Sequence, residues 1–457
     1  GADLETTMTD TAFLTTRTAS DAPAIVGNGA EYSYAWLERE VAATVDDLAS
    51  QGVTTGMVVR LQADFSPHAI ALFLALTQMG CIIVPALRTA TDRAREQMAE
   101  IAQVEFDIRV EADDSVTSGA TGTVAEHPLY AEVRERDTAG LVLFSSGSSG
   151  TPKGAVHDFG LLLDKFRQPR DPLRMLNFLL FDHWGGLNTM LHALANGGTV
   201  FTVQDRSADA ICELIERHRV AVLPASPTFL NLLLLSGAQQ RHDLSSLTTI
   251  TYGTEPMPPS LLRRLAQAFP DVRLHQTYGL IEVGVMRSKS RSNDSVWVRL
   301  GGEGFETRVV DGLLEIKAQS AMLGYLNAPS PFTDDGWFMT GDAVEVDGEY
   351  FRIIGRKSEL INVGGEKVYP QEVESTILEL DDVADVVVYA EKNALIGSIV
   401  CARINPAGDV DTSELEVVLK RHCRDKLPKY KVPVKVFVVQ EDIHGERFKK
   451  NRVGSDS

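Results

Sequence analysis

Apolar residues recur along residues 34–51 at helical spacing. Leu37, Val41, Val45 and Leu48 fall on one face when the period is 3.6. Residues 58–62 predict a strand, 68–79 a helix and 81–85 a strand. The apolar stretch 69–86 is interrupted by Thr77, Gln78, Gly80 and Pro85, so it reads as a buried helix running into a strand. No uninterrupted apolar run reaches the roughly 18 residues of a membrane span. Farther on, 209–218 predicts a helix and 220–223 a buried strand. Residues 244–251 lead into Tyr252-Gly253, and 258–269 predict another helix. Strands alternating with helices give α/β layers with largely parallel sheets.

The pattern changes near Gly301. Short alternating segments, 309–316 and 344–351, each carry an Asp-Gly pair, the signature of a tight hairpin. This predicts a β-rich subdomain over about 300–356. A further α/β unit follows, with a helix at 370–380, strands at 386–389 and 399–404, a helix at 412–427 and a strand at 434–439. The boundary is placed at Gly355-Arg356-Lys357-Ser358, giving units 1–356 and 357–457.

Charge agrees with that division. The 457-residue chain carries 63 acidic against 44 basic residues, a formal charge of −19. Such a balance argues against a nucleic-acid-binding face. From Lys420 onward, however, eleven Lys/Arg outnumber five acids, so the acidic excess lies upstream. A basic cap on an acidic body fits the handling of phosphates. A solvated helix face with a basic tail would show the same pattern. Cys81, Cys212, Cys401 and Cys423 have no CxxC spacing, which points to free thiols in a reducing, cytoplasmic compartment. Residues 1–10 are polar and acidic and lack the apolar core of a secretory signal.

The most informative stretch is Ser145-Ser146-Gly147-Ser148-Ser149-Gly150-Thr151-Pro152-Lys153-Gly154, directly after the apolar strand Gly140–Phe144. Glycines and small hydroxyl residues let backbone N–H groups turn toward an anion, and a lysine adds a point charge for phosphate. The spacing is not that of a GxxxxGK[ST] loop.

This stretch resembles the phosphate loop of the adenylate-forming superfamily, which includes acyl-CoA synthetases, nonribosomal peptide adenylation domains and luciferases. Four further segments resemble that family in the same order. Gly253-Thr254-Glu255-Pro256 is similar to its adenine-side turn. Gln276-Thr277-Tyr278-Gly279-Leu280-Ile281-Glu282 is similar to its Tyr-Gly-x-Thr-Glu segment. The segment ending in Thr340-Gly341-Asp342 and the one at Gly355-Arg356-Lys357-Ser358 resemble its ribose and hinge motifs. The resemblance implies a large N-terminal body of layered α/β sheets plus a β-rich subdomain, and a small mobile C-terminal α/β lid. It also implies attack of a carboxylate on the α-phosphorus of ATP, loss of pyrophosphate, and transfer of the acyl group to a thiol.

The implied roles are chemically coherent. Glu282 is the expected Mg²⁺ ligand, because Mg²⁺ takes one or two carboxylates plus phosphate oxygens. Tyr278 offers a flat face to adenine, Asp342 accepts the ribose hydroxyls, and Arg356 reaches ribose or phosphate. His183, in Phe181-Asp182-His183-Trp184-Gly185-Gly186, is the expected gate beside the substrate carboxylate. Trp184, Gly279, Ile281 and Val283 are expected around the acyl group. Ser358 is the expected hinge. Gly364 and Gly365 mark the expected path of a pantetheine arm, borne by CoA or by an acyl or peptidyl carrier protein. The family's catalytic lysine falls at Lys449, with Lys450 as the competing register, in Phe448-Lys449-Lys450-Asn451-Arg452.

The match departs from the family twice. Phe448 stands where the family has glycine. Ile281 stands where it has a threonine or serine whose hydroxyl touches the adenylate phosphate. Isoleucine cannot donate that bond. Either it shapes the acyl pocket or it weakens activity. Enzymes that stop at acyl-AMP, and impaired adenylate-binding proteins, are therefore the alternatives to an acid–thiol ligase.

Overall fold

The computed structural model describes residues 12–14, 21–145, 150–445, 450 and 452. Four sheets organise them. The first runs, edge to edge, through Arg273–Gln276, Thr249–Tyr252, Val222–Ala225, Arg174–Leu176, Thr199–Phe201, Pro23–Gly27 and Ala30–Ser33. It is parallel except for its last hairpin. The second is built on the parallel strands Gly140–Phe144, Ile82–Ala86, Val58–Gln62 and Phe106–Val110, with antiparallel strands at both edges. These are the layers that the alternating strand and helix signals predict.

The largest core cluster includes residues from both sheets. The helix Pro67–Gln78 is apolar around its whole circumference, and ten of its residues are buried, as a helix enclosed by protein requires. Its start is fixed by the Ser66 cap and by Pro67 in the first turn. The helix Trp184–Ala195 packs into the same cluster through Leu187, Met190, Leu191 and Leu194.

The third sheet is antiparallel and covers more of the chain than the Asp-Gly signals indicate. It begins at Tyr278–Leu280 and ends at Tyr350–Arg356. The early strands escape detection because Tyr278–Leu280 is only three residues long and Gly284–Ser290 is half polar. The fourth sheet, formed by Ile361–Val363, Glu366–Val368, Val383–Asn393, Gly397–Pro406 and Lys435–Val438, is covered by the helices Pro370–Ile377 and Leu415–Lys426. Among the described residues no helix is long and apolar enough to cross a membrane. All four cysteines are free and buried.

The start of the helix Trp184–Ala195 depends on a close approach. A Cβ on Gly186 would sit 2.5 Å from the Leu180 carbonyl oxygen, a backbone atom that cannot swing aside. Gly186→Ala is expected to lower stability by about 1–3 kcal/mol, as overpacked sites do. Gly119→Ala, where an added Cβ meets nothing within 4 Å, should stay within about 0.5 kcal/mol of the parent. Equal denaturant midpoints for the two variants would refute the packing argument.

Candidate active site

The strands Gly140–Phe144 and Gly154–Asp158 run side by side, and the Gly/Ser-rich loop joins them. Its two ends are clamped. The Ser145 N–H donates to the Lys153 carbonyl at 3.0 Å, and the Lys153 N–H donates to Ser145 Oγ at 2.9 Å. Ser146, Gly147, Ser148 and Ser149 lie outside the described residues. Gly150 has a φ of +148°, open to glycine, and Thr151 and Lys153 are exposed.

Asn327 braces the loop exit. Its amide accepts from the Gly154 N–H at 3.0 Å and donates to the Pro152 carbonyl at 2.8 Å. Tyr325, on the edge strand that pairs with Gly154–Asp158, stands 5.5 Å from Lys153 Nζ. Its hydroxyl donates to Glu282 Oε1 at 2.7 Å. Burial raises the Glu282 pKa, while Tyr325, Arg356 and Lys153 oppose that shift. The phosphate-loop exit and the expected metal ligand therefore share one place.

Asp342 adjoins it. Its buried carboxylate accepts a hydrogen bond from the Tyr278 hydroxyl and lies 3.5 Å from Arg356 Nε. Burial raises the Asp342 pKa, with Arg356 and Tyr278 opposing. Burial acts against the Arg356 charge, but Asp342, Tyr278, Glu282 and Glu359 outweigh it and its pKa rises. Tyr278 is buried and its hydroxyl is engaged, so only the ring remains for a nucleobase.

Ile281 divides its contacts. Its carbonyl accepts from His157 Nε2, while its half-buried side chain packs against the core cluster that contains Phe159, Leu162 and Trp184. His183 caps the helix Trp184–Ala195, its Nδ1 accepting from the Gly185 N–H at 2.9 Å. Gly279 is exposed, and a Cβ there would lie 3.0 Å from the Gly284 carbonyl oxygen. Val283 corrects the expected acyl wall. It is fully buried in the core of the antiparallel sheet with Tyr278 and Met286, whereas Ile281 and Val285 pack on Trp184's cluster. Residues 281–283 form a turn before the strand Gly284–Ser290, and Gly284 has φ +89°, so the period-two alternation of a strand does not carry through and Val283 turns to the inner face.

The remaining expected residues divide. A Cβ on Gly253 would lie 2.6 Å from Thr277 Oγ1, so this turn needs glycine, and Thr254 beside it has φ +76°. Thr277 holds the turn by donating its N–H to the Tyr252 carbonyl at 2.8 Å. Gln276 is buried, and its Oε1 has no hydrogen-bond partner among the described residues. The Glu255 carboxylate accepts from the Thr228 N–H at 2.8 Å and from its hydroxyl. With Pro256 it lines a cleft shared with Gln371, Glu374, Lys450 and Arg452. Ser358 sits in the short 3₁₀ turn Lys357–Glu359, and the following strand begins at Ile361. Gly364 and Gly365, with φ of +57° and +88°, form an exposed hairpin tip.

Lys449 lies outside the described residues. Lys450 is paired with Asp385 and donates to the Val386 carbonyl at 2.7 Å. Arg452 is bound by Glu374 and lies 3.2 Å from Glu359.

Lys153, Glu282, Tyr325, Asp342 and Arg356 thus gather where the α/β layers meet the antiparallel sheet. Comparison with known families agrees. Residues 14–312 match the AMP-binding enzyme family, and residues 372–452 match the AMP-binding enzyme C-terminal domain. The chain belongs to the AMP-binding enzyme family, whose activity is ATP-dependent formation of an acyl-adenylate followed by transfer to CoA. It is 29% identical to an indoleacetate–CoA ligase of Aromatoleum aromaticum, over 87% of this chain and 88% of that protein. It is 26% identical to a 2-succinylbenzoate–CoA ligase of Listeria monocytogenes, over 92% of each. Among solved structures, the anthranilate CoA ligase AuaEII in complex with anthranoyl-AMP shares the fold. Its TM-score is 0.81 at 20% identity, covering 96% of this chain and 95% of that one.

Sequence reasoning missed Tyr325, Asn327 and His157. A histidine inside the fully buried strand Gly154–Asp158 was the one available signal. Burial lowers the His157 pKa from 6.5 to about 4, so the ring is neutral and its Nε2–H donates a hydrogen bond to the Ile281 carbonyl. Between those values the unfolded chain binds the proton and the folded chain does not. Stability from this group is complete above pH 6.5 and is lost as pH falls toward 4. His157→Gln keeps a donor but does not titrate. The pH dependence of unfolding should therefore flatten by up to about 1.4 kcal/mol per pH unit in that window. An unchanged slope would show that His157 is already charged in the fold.

Proposed function

We propose that this chain joins a small carboxylic acid to CoA in two steps at the cleft. The acid's carboxylate oxygen attacks the α-phosphorus of ATP and pyrophosphate leaves. The CoA thiol then attacks the acyl carbon and AMP leaves. The observation that carries this reading is the convergence of Lys153, Glu282, Tyr325, Asp342 and Arg356 from separate segments of the chain. It is supported by relatives named as CoA ligases that align along most of both chains.

In this reading Lys153 and the backbone of the Gly/Ser loop hold phosphates, and Asp342 takes the ribose hydroxyls. Arg356 balances the charge between them. Glu282 would hold Mg²⁺. It fits because Mg²⁺ binds through one or two carboxylates and the substrate's phosphates, and Tyr325 takes only one oxygen of this carboxylate. The ion would neutralise phosphate charge. Residues 357–457 act as a lid turning about Ser358. The Gly364-Gly365 tip guides the pantetheine arm of CoA, or of a carrier protein if that is the acceptor. Use of ATP and CoA, with four free thiols, favours the cytoplasm.

A pyrophosphate-release screen over a panel of carboxylic acids, with and without CoA, tests the assignment. Pyrophosphate with at least one acid, and free-thiol loss only when CoA is present, are expected. Pyrophosphate without thiol loss for every acid would mean that the reaction stops at acyl-AMP.

Lys449 is assigned to the α-phosphate because Lys450 is already occupied by Asp385. Lys449→Ala should slow pyrophosphate exchange by about 10²-fold or more, the worth of one donor to developing charge, and spare thiolysis of supplied acyl-AMP. Lys450→Ala should instead leave Asp385 buried and unpaired, costing roughly 3–5 kcal/mol of stability. A stable Lys450→Ala protein with the exchange defect would reverse the assignment.

A further inference from the structure

The helix Trp184–Ala195 turns Trp184, Asn188 and His192 to one side, at intervals of four residues. Trp184 is 3% exposed, and its indole Nε1 has no hydrogen-bond partner among the described residues; the same is true of Asn188 Oδ1. Buried polar atoms of this kind are rare unless something absent from the structure satisfies them. The indole N–H faces Gly284, where an added Cβ would lie 3.7 Å from Nε1. Gly284 follows Glu282 by two residues. The row of polar atoms therefore starts beside the reaction centre.

Lys165 comes to this row from the turn Asp164–Arg167. Its Nζ lies 6.0 Å from the Trp184 ring centroid and 5.0 Å from that of Phe166. No carboxylate pairs with it among the described residues, whereas Arg167 beside it has Asp164. Lys165 is reached by solvent, yet protein crowds its ammonium enough for burial to lower its pKa to about 8. Lys165 is exposed as a whole, while its ammonium lies against the rings of Phe166 and Trp184. His192 feels the Lys165 charge and is itself kept neutral by burial. The side chains packed with Trp184 in the same cluster are apolar, among them Leu162, Phe166, Ile281 and Val285.

We infer that the acid activated here is a dicarboxylate with an apolar middle, one carboxylate meeting ATP and the other gripped by Lys165 beside Trp184 and Asn188. The Asn188 amide can turn its NH₂ to an anion, and the indole donates as it stands. This inference rests on the proposed function and specifies its substrate.

The test compares matched pairs, a diacid and the monoacid in which the far carboxylate is replaced by methyl, in the pyrophosphate assay. The parent enzyme should favour the diacid. Lys165→Met should reduce kcat/KM for the diacid by about 10- to 100-fold, chiefly through KM, as loss of a charged hydrogen bond does. The monoacid should change less than about threefold by comparison. Lys165→Arg should restore diacid preference. Equal efficiency of the parent on both acids, or equal losses on both in Lys165→Met, would overturn the assignment of Lys165 alone. Absence of pyrophosphate with every acid would overturn the proposed function, and this inference with it.

Discussion

A carboxylate that is 4% exposed must be held by partners, and Asp342 is held from two sides. Tyr278 opens the antiparallel sheet and Arg356 closes it. The Tyr278–Asp342–Arg356 contacts therefore join the beginning and end of one sheet at a single charged point. Glu282 lies within the electrostatic reach of the same arginine. Two carboxylates and the cations Arg356 and Lys153 nearly cancel, so the cleft is close to neutral. A triphosphate needs more positive charge than that. It must arrive with the nucleotide, as Mg²⁺ does, or from the basic end of the chain, where Lys/Arg exceed acids eleven to five.

The body and the C-terminal unit meet at a seam that carries charge from both sides. Glu255, from the body, faces Lys450 and Arg452, and Asn231 donates to the Ala384 carbonyl at 2.9 Å. Arg452 is in turn bound by Glu374 and Glu359. Apolar side chains, Pro227, Pro256, Pro258, Leu261 and Leu378, line the same seam beside these charged groups. Within the C-terminal unit the Lys450–Asp385 pair is buried.

How much of this was legible in the sequence depends on the range of each interaction. The helix Tyr34–Ser50 and the strands Val58–Gln62 and Gly140–Phe144 were readable because their signal is local. Asp342 and Glu282 were readable because they sit in ordered motifs. Tyr325 was not, since its partner is 43 positions away and no pattern links a tyrosine after glycine to a distant acid. His157 and Ile281 are 124 positions apart and meet only because the second sheet packs beside the segment carrying Glu282. Val283 and Ile281 part company, into different apolar clusters, for a related reason. Whether a residue faces a pocket or a core is decided by which sheet claims it, and neighbours in sequence look alike until then.

Ile281 shows how one position can serve two ends of a reaction. Its main chain is fixed by a neutral histidine, so the segment ending at Glu282 keeps its course whatever side chain is present. The side chain is then free to pack against the cluster that contains Phe159, Leu162 and Trp184. A hydroxyl at this point would bond a phosphate oxygen, an interaction that gains as charge develops and so acts on the rate. Apolar contact with an acyl chain is nearly the same in ground and transition states, so it acts on affinity. Exchanging the first for the second trades rate for grip on the acid.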